Sequence, residues 1–119
     1  MKASKLITAI IGITFLWGCK DRSHIKAYLT SSDQDSIIIG MYMLEAKDSN
    51  YIKHIFDDPF DQRITHKRKH YSESVYQAKM NAMKRISEKE PPKQITRNPD
   101  STIIEFYRSW AIEHGYLDR

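Results

Sequence analysis

Between Ser72 and the Pro91-Pro92 pair, apolar residues fall where a helix would gather them. Val75, Ala78, Ala82, Met83 and Ile86 recur mostly at steps of three and four, which puts them on one face of a 3.6-residue turn. Met80 lies off that face and is expected to cover a neighbouring element. Ser72 is placed to cap the start, because a serine oxygen can accept a backbone N–H of the first turn. The tandem prolines close the far end, since proline has no N–H to donate and its ring clashes with the preceding turn. No part of the chain shows sustained two-residue alternation, and past residue 19 its only glycines are Gly40 and Gly115. Strands joined by tight turns need both features. The sequence therefore predicts an all-α fold.

Three further helices fit the same reading. Ser32 or Asp33 can cap one that runs through Ile37, Ile38, Met41, Tyr42 and Leu44. Gly40 inside it costs about 1 kcal/mol relative to Ala, which close packing against a second helix would explain. Asp48-Ser49-Asn50 reads as a turn and cap before Tyr51, Ile52, Ile55 and Phe56, and Pro59 stops that segment. Asn98 to Ser101 is a second turn and cap. It precedes a helix carrying Ile103, Ile104, Phe106, Tyr107, Trp110 and Ala111, with Gly115 at its C-terminal cap. Trp110 is expected in the core of that helix. Residues 60–71 show no clean period, and a connection of that length is functional or mobile.

The chain opens with Lys2 and Lys5, continues through the largely apolar run 6–17, and ends that run on Leu16-Trp17-Gly18-Cys19. A charged head and a short apolar run are the parts of a secretory leader, too short to cross a bilayer. The ending resembles the lipobox of bacterial lipoproteins, although Trp17 stands where a small residue is usual. The resemblance covers only about the first 20 residues. It implies cleavage before Cys19, acylation of its thiol (palmitate among the chains) and a lipid anchor in a bacterial cell envelope. The outer membrane is the expected site, facing either the periplasm or the cell surface. On this reading 1–18 is a signal peptide, 19–32 a lipid-anchored tether and 33–119 a domain of about four helices, which could stack as pairs.

The leader takes two of the 19 basic residues and none of the 15 acidic ones, so the remaining 101 residues carry a formal charge of +2. That is no charge for gripping nucleic acid. Cys19 is the only cysteine, so the fold must stand without disulfides. The charges are nevertheless segregated. Asp33 to Asp61 holds seven acidic residues against two lysines, and Lys67 to Arg97 nine basic against three glutamates. Attraction between neighbouring helical layers explains this as well as a dipolar surface for a charged partner does.

His66 and His70, four apart in THKRKH, could share a helix face and hold a metal, but Lys67, Arg68 and Lys69 between them repel a cation. The five residues read instead as a candidate binding surface for acidic headgroups or an acidic protein patch. Asp57, Asp58 and Asp61 lack the Gly and Glu of a calcium loop. Asp21, Ser23 and His24 lie on the expected tether, where nothing would hold them as a triad. No catalytic residue, cofactor or metal site is assigned.

Shifted by 31 residues, Asn50, Lys53, Ile55, Ile64 and Thr65 fall on Asn81, Lys84, Ile86, Ile95 and Thr96. This faintly resembles a HEAT-type or tetratricopeptide-type array, and chance agreement between amphipathic helices gives the same pattern. The expected function is that of a non-catalytic protein-interaction or structural module of the cell envelope, with a membrane anchor and a protein partner. The alternatives are an immunity or inhibitor protein at the membrane, and an envelope hydrolase using the 60–71 loop.

Overall fold

A computed structural model describes residues 24–66 and 72–119. Among these residues the chain forms five α-helices: α1 (Ile25–Leu29), α2 (Gln34–Tyr42), α3 (Ile52–Ile55), α4 (Val75–Ser87) and α5 (Ser101–Glu113). A 3₁₀ turn, Ser49–Tyr51, leads into α3. The fold is all-α, and no helix of the described residues is long and apolar enough to cross a membrane.

Side-chain caps fix the starts of the three long helices. Asp33 is extended, and its Oδ2 accepts the Ser36 amide at 3.0 Å. Asp100 does the same for Thr102 at 2.8 Å. The cap of α4 is Ser74, whose Oγ accepts the Gln77 amide at 3.1 Å and donates to the Arg97 carbonyl at 2.7 Å. The expectation of Ser72 is corrected by two residues. An antiparallel bridge pairs Ile64 with Ser74, which is extended, while Ser72 sits in a turn with φ 59°. The bridge also supplies acceptors for amides that a helix start leaves orphaned. Val75 N–H donates to the Arg63 carbonyl at 2.9 Å and Tyr76 N–H to the Asp61 carbonyl at 2.8 Å.

The last helix closes as expected. Gly115 has φ +79°, its N–H donates to the Ile112 carbonyl at 3.1 Å, and Tyr116 N–H reaches back to the Ala111 carbonyl at 2.8 Å. This pair of bonds is the Schellman arrangement, which favours Gly because a Cβ is strained at that φ.

Packing proceeds in sequence: α1 on α2, α2 on α4, α4 on α5, with α3 against α4. The interior holds Ile25, Ile38, Met41, Leu44, Ile52, Ile55, Val75, Met80, Met83, Ile103 and Ile104, all but free of solvent contact. Each such side chain contributes roughly 1.5–3 kcal/mol of burial. Met80, off the apolar face read from the sequence, is fully buried. Tyr42, read as a core position, is 45% exposed.

The expected tether is corrected in part. Residues 25–29 form α1, with Ile25 fully buried and Leu29 6% exposed. Gly40 makes this seam. A Cβ there would lie 2.8 Å from Tyr28 Cβ and 2.9 Å from Leu29 Cδ2, so α1 reaches α2 only because position 40 has no side chain. The signal peptide and the start of the tether lie outside the described residues.

Candidate functional site

Of the residues the sequence singles out, Cys19 and Lys67, Arg68, Lys69 and His70 lie outside the described residues. His66 is described and exposed. Its Nε2 sits 3.1 Å from Gln34 Nε2, and its backbone N–H donates to Asp35 Oδ1 at 3.0 Å. Thr65 Oγ1 donates to the same carboxylate. Arg63 adds a bond from Nη1 to the Ser32 carbonyl at 2.6 Å and a paired contact with Asp61. Residues 61–66 are thus strapped to the start of α2. Asp57 and Asp58 act through their backbone: the buried Lys79 Nζ donates to both carbonyls, at 2.7 and 3.0 Å. Burial lowers the Lys79 pKa, opposed by the charges of Asp61, Asp58 and Asp57. Asp21 and Ser23 lie outside the described residues, and His24 is exposed at the start of α1.

The segregated charges meet mainly through backbone acceptors. Arg85 Nη2 and Nε donate to the carbonyls of Met41 and Leu44, at 2.6 and 2.9 Å. A guanidinium at a helix C-terminus satisfies orphan carbonyls and meets the negative end of the dipole. Beside it Glu73 accepts from Tyr42 Oη and from Asn81 Nδ2, joining the end of α2 to the middle of α4. Burial raises the Glu73 pKa, partly offset by Asn81 and by the charge of Arg85.

This yields a pH prediction. Unfolded, Glu73 ionises from about pH 4.5 upward; folded, it resists ionisation. Above that pH the unfolded chain holds fewer protons at this site, so its contribution to stability is complete below 4.5 and is lost as pH rises through the folded value. Glu73→Gln keeps an acceptor for Tyr42 and carries no charge. It will flatten the decline of melting temperature between pH 4.5 and 7, and at neutral pH it will melt no lower than the wild type. Thermal melts across that range check this, and a steeper decline in the variant contradicts it.

The surface with the strongest features for contact lies on α4, α5 and the chain that joins them. A groove of about 580 Å³ is lined by Lys89, Glu105, Phe106, Ser109, Trp110 and Glu113. Phe106 and Trp110 are one turn apart and half-buried. Trp110 is stacked on His114 at 4.3 Å between ring centres, and Tyr116 extends the stack at 5.7 Å from the indole. His114 Nδ1 donates to the Trp110 carbonyl at 2.8 Å, which fixes the imidazole against the indole. The Tyr107 hydroxyl donates to the Lys89 carbonyl at 2.9 Å and holds the rim residue in place. Lys89 also lines an adjoining cleft of about 430 Å³ with Tyr42, Asn81, Lys84, Arg85, Glu88 and Glu90. A third, of about 520 Å³, shares Asn81, Lys84 and Glu90 and runs along Pro91 to Ile95. Aromatic rings and charged side chains thus border one another along a single face.

Trp110 is corrected here from core residue to partly covered rim. The buried set of α5 is Ile103, Ile104, Tyr107 and Ala111. Of the tyrosines, Tyr76 and Tyr107 are fully buried, Tyr51 packs at the edge of the core, and Tyr71 lies outside the described residues. His66 and Glu73 do not line the grooves described. Compared with known proteins, this chain matches no family model, no curated protein and no solved structure.

Proposed function

We propose that the chain is an exported lipoprotein, acylated at Cys19, whose helical domain is a non-catalytic interaction module of the cell envelope. The observation that carries the interaction reading is the α5 groove. Its indole is pre-ordered by a ring stack yet keeps part of its surface in water. Rings of this kind, held rigid before contact, are enriched where proteins meet, and charged residues belong at the rim of such a patch. The buried Lys79 and Glu73 and the half-buried Arg85 support the same reading, because their bonds tie α4 and its start to neighbouring segments of the fold. The partner is a protein of the envelope that presents an apolar side chain to the groove between Phe106 and Trp110.

Two measurements test the two halves. Cys19→Ala will abolish incorporation of a labelled fatty acid in bacteria; label that persists removes the anchor from the proposal. Cross-linking on intact membranes will then capture a protein with the wild type and lose it with Trp110→Ala. Equal capture by a Trp110→Ala chain that melts normally excludes the groove as the contact surface.

A further inference from the structure

The anchor and the fold are separated by very little chain. Residues 20–24 are all that stand between Cys19 and Ile25, the first residue of α1. An extended residue spans at most about 3.6 Å, so this connection reaches roughly 20 Å when taut. The helix it joins is not a swinging arm, since Ile25 is buried and α1 is seated on Gly40. The exposed charged side chains near this end are Lys26 and Lys53, with Asp57 and Asp58 exposed just beyond α3. His24 caps α1 and Lys26 lies on it, with no acidic residue in that helix, and Lys53 and the half-buried His54 lie on α3. Burial lowers the His54 pKa, the charges of Lys53 and Lys26 act in the same direction, and Asp57 opposes them.

We infer that the α1–α3 edge is the surface that rests on the bilayer, with Lys26 and Lys53 facing anionic headgroups. This inference rests on the lipoprotein reading and adds an orientation to it. The short connection confines the edge to the headgroup boundary, and the lysines favour contact over a hanging pose, because basic side chains next to an anchor are drawn to anionic lipid. Packing runs from α1 through α2 and α4 to α5, so α1 shares no major seam with the helix of the aromatic groove, while α3 meets α5 where Arg108 stands over Phe56. The domain therefore has a membrane pole at α1 and a contact pole at α5.

Acylation consumes the only native thiol, so an added cysteine on the acylated full chain can be labelled alone. Ala27→Cys on α1 and Ser109→Cys on α5 are both exposed positions. Each carries a fluorophore, and the chains are floated on phosphatidylethanolamine–phosphatidylglycerol vesicles containing a headgroup-borne quencher. The label at 27 will be quenched several-fold more than the label at 109. Lys26→Glu with Lys53→Glu, in the Ala27→Cys background, will reduce that quenching while the chain still floats. Equal quenching at both sites on floated chains overturns the orientation and leaves the anchor standing. Chains that fail to take up fatty acid and fail to float overturn the lipoprotein reading, and the orientation with it.

Discussion

Tyr107→Ala will unfold this domain or come close to it, whereas Trp110→Ala, three residues on, will not. Tyr107 is fully enclosed, with its hydroxyl on the Lys89 carbonyl and its ring edge-on to Phe106 at 5.0 Å. Removing a buried aromatic costs about 3–5 kcal/mol. A typical domain is held together by only about 5–15 kcal/mol. In a domain of this size each kcal/mol moves the melting temperature by roughly 4–8 °C, so the loss exceeds ten degrees. Trp110 already shows part of its ring to water, and its truncation will cost no more than about 2 kcal/mol. Tyr107→Phe keeps the ring, loses one hydrogen bond and should fall by about 1 kcal/mol. Thermal and urea melts of the three variants rank them. A Trp110→Ala chain less stable than Tyr107→Ala would return the indole to the core.

The second large effect is expected at Gly40. Alanine there improves helix propensity by up to about 1 kcal/mol. Its Cβ, however, would sit 2.8 Å from Tyr28 Cβ, an atom fixed to the α1 backbone, and 3.3 Å from the Leu29 amide nitrogen. Overpacking of this kind costs about 1–3 kcal/mol, so Gly40→Ala is a net loss. Gly40→Val pushes α1 away altogether and forfeits the burial of Ile25 and Leu29, up to roughly 3–6 kcal/mol for the two. Hydrogen exchange at the Leu29 and Thr30 amides will report the detachment, and a protected α1 in Gly40→Val would refute this account of the seam.

Much of the helical frame was legible. The spacing from Val75 to Ile86 and the Asp33 and Asn98–Ser101 signals act locally, so local reading finds them. The purpose of Gly40 was legible too, because an unexplained glycine in a helix needs a close neighbour. Three features depended on distant partners. The five residues of α1 bury only two side chains and have no side-chain cap, too little pattern to separate a helix from a linker. Ser72 and Ser74 look alike as caps until the Ile64 bridge selects the second. Trp110 stands about 60° round the helix from Tyr107, close enough to share its apolar face and far enough to fall on its flank. The groove was missed for that reason, and the signal that could have found it was the aromatic Trp110, His114 and Tyr116 clustered at the helix end. The anchor and the Lys67-to-His70 part of the candidate surface stand on sequence alone.

The seating of α1 has a mechanical consequence. Any pull delivered through residue 24 enters the fold at its shortest flanking helix, which buries two side chains and is seated on Gly40. Load applied there opens the seam from its end, one side chain after another, instead of shearing several helices at once. The helices α2, α4 and α5, with the interior they enclose, lie behind that seam. Under tension α1 would yield first as a short length of slack, and the face carrying Phe106 and Trp110 would keep its shape while the chain lengthened.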